Sequence, residues 1–162
     1  MTIRFTLNGE DEEVSVEANK RLITILRENF SLVSAKSGCL CGNCGACSVI
    51  FNGAVSSACL IPAFRAHGSE IITLEGFSQQ INEYQDITAG FAGAGVENCG
   101  YCEAGKILTA TLLLEKSYRP EREEFFNAYS GIHCRCTEPE TLYAGLLAAG
   151  EIRQRRIYGR SS

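Results

Sequence analysis

Nine cysteines stand in this chain of 162 residues, and eight of them fall into two sets of four whose spacings suit iron–sulfur chemistry. The first set is Cys39, Cys44, Cys47 and, further on, Cys59; this C-x4-C-x2-C…C arrangement is the plant-type spacing for a two-iron, two-sulfur cluster. The second set pairs Cys99 and Cys102, a C-x2-C step, with Cys134 and Cys136, a C-x-C step. No serine–histidine pair and no paired carboxylates stand out as catalytic. A chain with two redox centres and little else is expected to move electrons between partners that do the chemistry.

A two-iron cluster needs four thiolates and a loop that wraps closely around a negative core. Gly38, Gly42 and Gly45 are candidate cofactor-binding residues, because glycine reaches backbone conformations closed to other residues and lets amide N–H groups turn towards the sulfurs. A four-cysteine zinc site is the alternative, but structural zinc sites usually use two separated C-x2-4-C pairs. Cys41, Cys44 and Cys47 also spell the C-x2-C-x2-C opening of a four-iron motif, whose next cysteine would fall where Phe51 stands. Cys41 is therefore read as a non-ligand thiol near the cluster.

Both halves of the second set precede predicted helices, and helix N-termini offer free N–H groups and a positive dipole end to a negative cluster. Two helix starts meeting head to head would hold one cluster between them. Zinc, or a thiol–disulfide pair at Cys99/Cys102, stays open as an alternative here. A Rieske centre needs two histidine ligands, and His67 and His133 are not spaced for it. His133 is read as a packing or surface residue.

The elements that must position these cysteines divide the chain. Ile3, Phe5 and Leu7, the Asn8-Gly9 turn, then Val14 and Val16 predict a β-hairpin over 1–17. Asn19 is expected to cap a helix carrying Leu22, Ile25, Leu26 and Phe30. After the cysteine loop, Ser48–Phe51, the turn at Asn52-Gly53 and 54–60 form a second hairpin, and Ile71–Leu74 a further strand. From about residue 82 the β-branched alternation disappears, and helices are predicted over 85–94, 103–116, 121–129 and 140–152. The expected class is α+β: a small mixed unit over 1–78, then an all-helical unit over 79–162.

Net charge is −4 and the pI about 5.3, without the basic face of a nucleic-acid binder. No apolar run approaches the ~20 residues of a membrane span, and the start lacks a signal-peptide core. A cytoplasmic setting is expected, where cysteines serve metal or redox chemistry rather than disulfides. Gly93-Ala94-Gly95 lacks the third glycine and the preceding strand of a nucleotide loop. The acidic run 10–13 is read as a solvated turn. The basic tail Arg153, Arg155, Arg156 and Arg160 is read as a solvated or frayed end, with packing on a partner as the minor alternative.

Gly38-Cys39…Cys44-Gly45-Ala46-Cys47-Ser48-Val49, Asn98-Cys99-Gly100-Tyr101-Cys102…Gly105-Lys106-Ile107-Leu108 and Cys134-Arg135-Cys136-Thr137 resemble the cluster motifs of the xanthine oxidase family, the molybdenum hydroxylases. Order, spacing and length are similar to its small iron–sulfur subunit, over about residues 2 to 150. The resemblance implies a β-grasp, plant-type ferredoxin-like domain followed by a four-helix bundle, each with a [2Fe-2S] cluster. It implies a large partner subunit with a molybdopterin, contacted near Asn98 and Cys136, and a flavin (FAD) partner as the electron exit. Electrons would pass the second set first and the first set next.

The chain departs from the family pattern. Asn98 stands where the family has a pterin-bonding glutamine; Glu103-Ala104 replaces threonine and proline; Glu138-Pro139 replaces glycine and tyrosine; and Cys41 replaces a residue that is usually not cysteine. Glu138 adds negative charge near the implied pterin face. The function expected is that of an electron-transfer subunit of a molybdenum hydroxylase, without substrate chemistry of its own. The alternatives are a free-standing two-cluster ferredoxin and a zinc-stabilised interaction protein.

Overall fold

The computed structural model describes residues 1–159. The chain begins with strands β1 (Thr2–Leu7) and β2 (Glu10–Ser15), joined at Asn8-Gly9, where both residues take positive φ, 53° and 88°. That conformation is what a tight two-residue hairpin turn requires. Strands β3 (Ser48–Phe51) and β4 (Ala54–Ser57) repeat the device at Asn52-Gly53, with φ of 49° and 82°. Strand β5 (Glu70–Ile72) runs parallel to β1 and antiparallel to β3, closing a five-stranded sheet in the order β2-β1-β5-β3-β4.

Helix α1 (Leu22–Asn29) lays Leu22, Ile25 and Leu26 across this sheet, against Ile3, Phe5, Leu7, Val49 and Ile71. The expected cap at Asn19 is not used: Asn19 lies in a turn, and the helix enters from Arg21, whose backbone bridges to Pro62. That bridge, rather than a side-chain cap, fixes where the helix begins. Two short helices, α2 (Ala63–Ala66) and α3 (Leu74–Phe77), were not anticipated. The strand expected over Ile71–Leu74 ends at Ile72, because the Thr73 hydroxyl caps α3 by accepting from the Gly76 N–H.

The second part is helical: α4 (Ile81–Gly93), α5 (Glu103–Lys116), α6 (Arg122–Tyr129) and α7 (Pro139–Tyr158). These four helices form the bundle around Ile87, Phe91, Ile107, Leu108, Phe125, Leu146 and Ala149. Helix α4 starts four residues earlier than the sequence pattern indicates and runs through Gly90. That glycine is needed, since a Cβ there would sit 2.3 Å from the Ala149 backbone nitrogen on α7. Helix α7 outruns its expected end at residue 152, and the basic tail is not a frayed end. Arg153 is buried, and together with Arg156 it clasps the buried Asp86 of α4, at 3.4 Å and 2.6 Å. Arg155 is exposed, and Arg160 lies outside the described residues.

The two parts share a wall. On β3, Val49 points into the sheet–α1 core and Ile50 into the helical core, as strand alternation dictates. Among the described residues no helix is long and apolar enough to cross a membrane.

Candidate iron–sulfur centres

The loop between α1 and β3 carries Cys39, Cys44 and Cys47. Two arginines brace it: Arg21 donates to the Leu40 carbonyl at 3.0 Å, and Arg27 donates to the Val33 and Ala35 carbonyls. Leu40, Gly42 and Gly45 all take positive φ, which winds the loop back on itself. The main-chain N–H groups of Cys41, Asn43 and Cys44 point at the Cys39 sulfur at 3.5, 3.2 and 3.3 Å, and those of Cys39 and Ala46 at the Cys44 sulfur, each at 3.5 Å. These donors hold the exposed Cys39 thiol down at about 6. A loop already wound to stabilise negative sulfur is what a cluster requires. Gly38 leaves no room for a side chain, since a Cβ would meet the Cys44 sulfur and the Tyr101 hydroxyl, both at 2.7 Å.

Cys59 returns on the single 3-10 turn after β4, with its thiol in hydrogen-bonding reach of Cys47. Burial pushes the Cys47 thiol up to about 11, so a thiolate there needs a positive partner such as a metal ion. Cys41 is exposed and its thiol lies beside Cys39.

In the second set Cys102 occupies the N-cap position of α5, and Cys134 and Cys136 lie on the bend leading to α7, which opens on Pro139. The Cys134 and Cys136 sulfurs are 3.5 Å apart; Cys102 reaches Cys134 and Cys99 reaches Cys136. Burial, aided by the neighbouring Cys134, pushes the Cys102 thiol up to about 12. At Cys136 burial acts upward too, but hydrogen bonds from Cys134, Cys99 and Thr137 outweigh it and bring the thiol down to about 7. Among the described residues no three metal-binding side chains converge as for a single ion. The thiols meet in pairs, the arrangement a two-iron cluster uses with two thiolates at each iron.

One groove is lined by Cys39, Cys44, Cys99, Cys102, Cys134 and Cys136, bringing both sets to a common face. The loops are tied directly: the His133 N–H donates to the Cys44 carbonyl at 3.1 Å, and His133 Nδ1 lies 2.5 Å from the Asn43 carbonyl. Sequence reasoning left His133 as packing or surface; its place next to Cys134 was the signal for this tie. Asn98 is exposed at the entrance of the second loop, and Gly93-Ala94-Gly95 ends a helix rather than following a strand.

Residues 5–70 match the family described as a 2Fe-2S iron-sulfur cluster binding domain, and residues 73–147 the [2Fe-2S] binding domain. The chain is 45% identical over 151 residues to the nicotinate dehydrogenase small FeS subunit of Eubacterium barkeri, covering 93% of this chain and 96% of that protein. It is 36% identical to the nicotine 6-hydroxylase small subunit of Paenarthrobacter nicotinovorans, over 90% of this chain and 88% of that one. The crystal structure of quinoline 2-oxidoreductase from Pseudomonas putida 86 contains a chain that superposes with a TM-score of 0.84 at 34% identity, covering 99% of this chain and 98% of its own. Aldehyde oxidoreductase from Desulfovibrio desulfuricans matches with a TM-score of 0.83 at 32% identity, across 94% of this chain and 17% of that larger one. The chain belongs to the molybdenum hydroxylase family, as one of its small iron–sulfur subunits. It has two [2Fe-2S]-binding domains and serves electron transfer in an oxidoreductase.

Proposed function

We propose that the chain relays electrons, one at a time, from a molybdopterin centre in a large partner subunit towards a flavin or other acceptor. In this reading Cys99, Cys102, Cys134 and Cys136 hold the receiving cluster, and Cys39, Cys44, Cys47 and Cys59 hold the delivering one. When bound, the two clusters supply the one-electron carriers. The chain's own part is to fix them: Gly38, Gly42 and Gly45 shape the first loop, and the buried Cys47 and Cys102 anchor each centre inside the fold. Asn98 and the segment around Cys136 face the pterin-bearing subunit, and Cys41 remains a bystander thiol. In this reading the chain divides into functional units at 1–78 and 79–162, although Ile50 and Phe77 of the first unit pack into the helical core.

The observation that carries the reading is the gathering of six of the eight thiols, from both sets, on one groove, with the buried Cys47 and Cys59 paired behind the first set. Similarity to subunits named for nicotinate and nicotine enzymes supports an N-heterocycle as the substrate of the complex. A cytoplasmic setting belongs to the same reading, since the nine free thiols need a reducing compartment to await metal.

The test is anaerobic purification with assay of iron, sulfide and zinc, followed by EPR during stepwise dithionite reduction. About four irons per chain and two distinct reduced two-iron signals are expected. Zinc without a reducible signal overturns the proposal, and a four-iron signal makes Cys41 a ligand. Co-purification of a molybdenum-bearing large subunit distinguishes the relay from a free-standing ferredoxin.

A further inference from the structure

Lys106 is completely buried on α5, one turn beyond Cys102 and on the same face of the helix. Its main-chain N–H donates to the Cys102 carbonyl at 3.1 Å, and the buried Tyr129 hydroxyl donates to its own carbonyl at 2.7 Å. The ammonium turns back past the helix start and donates to the Glu97 main-chain carbonyl at 2.5 Å. That same oxygen accepts from the Cys136 thiol at 3.4 Å and from the Thr137 hydroxyl at 3.0 Å. The ammonium and the Cys136 sulfur therefore share one acceptor atom and lie no farther apart than these two bonds laid end to end. Among the described residues no carboxylate comes within ion-pair distance of Lys106.

A buried ammonium with only a carbonyl for company is costly unless an anion stands nearby. Cys136, tied to the same carbonyl, belongs to the set that becomes negative once it holds a cluster. Reduction adds one further negative charge to that centre, and a fixed cation at close range favours the reduced form.

We propose that Lys106 is a positioning residue that raises the reduction potential of the centre held by Cys99, Cys102, Cys134 and Cys136, making it the readier acceptor of an incoming electron. The inference rests on the ligand reading given under the proposed function. The step itself is a one-electron reduction: dithionite in the test, or the upstream redox partner in the complex, is oxidised as the centre is reduced.

The experiment uses the full chain, loaded anaerobically with iron and sulfide and titrated with dithionite at set potentials, with each centre read by its EPR signal. In Lys106→Met, at a poise that half-reduces the wild-type centre, the reduced-to-oxidised ratio of the second centre falls about tenfold, equivalent to about 59 mV for one electron. The first centre does not move, and Lys106→Arg, which keeps the charge, stays at the wild-type potential. Lys106→Gln, which keeps a donor for the Glu97 carbonyl, repeats the shift and covers the case in which Lys106→Met fails to hold the centre. An unchanged ratio in a neutral variant, or equal shifts of both centres, overturns the inference. So does loss of the second centre from both neutral variants while Lys106→Arg retains it, which would make the role purely structural. Absence of a second signal in the wild-type chain overturns the ligand reading itself, and this inference with it.

Discussion

The main-chain N–H of His133 donates to the carbonyl oxygen of Cys44, binding the residue beside one cysteine set to a member of the other. If Cys44 and Cys134 hold clusters as proposed, the shortest bonded path that this contact offers between the centres would run through covalent bonds and this 3.1 Å hydrogen bond. Gly45 keeps the seam tight, because a Cβ there would lie 2.6 Å from the Gly131 carbonyl.

Replacing His133 by proline removes the donor and leaves a part-buried carbonyl unpaired, at a cost of about 1–3 kcal/mol. Electron equilibration between the two centres is expected to slow in this variant. His133→Ala keeps the N–H and should equilibrate at the wild-type rate. Rapid-freeze EPR after a substoichiometric pulse of reductant measures both; equal rates in all three proteins would remove the bond from the route.

Cys102→Ser is expected to empty the helical centre and spare the other. Iron content should fall by about half, with the plant-type signal intact. Equal loss of both signals would count against two independent sites.

Asp86 is the buried anion of the α4–α7 contact, clasped by Arg153 and Arg156. Asp86→Ala strands the buried Arg153 guanidinium and should cost about 3–5 kcal/mol in denaturant unfolding. Arg155→Ala, on the exposed side of the same helix and 3.9 Å from Glu151, should change stability by less than about 0.5 kcal/mol.

Glu75 ties α3 to the loop before the first cysteines by accepting from the Ser34 N–H and hydroxyl. Burial pushes its carboxyl up, but these hydrogen bonds outweigh burial and hold it below the ordinary carboxylate value. A depressed folded-state value means the contribution is fully present above the unfolded carboxylate range and is lost as pH falls through the folded one. Glu75→Gln should therefore cost about 1 kcal/mol at neutral pH, after allowance for its partial exposure, and nothing in strong acid. Unfolding curves at a series of pH values test this, and a cost that does not depend on pH would refute it.

The tight α4–α7 crossing gives a paired test at two glycines. Gly90→Ala drives a methyl into the Ala149 backbone and should destabilise by about 1–3 kcal/mol. At Gly93, where an added Cβ meets nothing within 4 Å, alanine should instead stabilise by about 0.4–1 kcal/mol. Thermal melts of the two variants should shift in opposite directions.

The cysteine spacing and the two Asn-Gly turns were legible in the sequence because each is a local code: a ligand interval in one case, and positive φ at adjacent residues in the other. Helix α5 was legible because its apolar residues recur within one continuous segment. The short helices α2 and α3 were not, since four residues carry no period, and α2 has no side-chain cap to mark its start. Arg153, Arg156 and Lys106 were also missed as structural charges. A basic residue on a helix looks solvated until its partner is known, and Asp86 lies 67 residues from Arg153. Glu97 reaches Lys106 through its backbone carbonyl, which carries no residue signature at all.

Strand β3 sends Val49 into one core and Ile50 into the other. Neither half can swing without pulling a buried side chain out of its socket, so in the proposed relay the gap between the two centres would be set once, when the chain folds. On that reading, passage of charge inside this subunit needs no hinge and waits on no conformational gate, and any pacing of turnover would fall to the proposed partners.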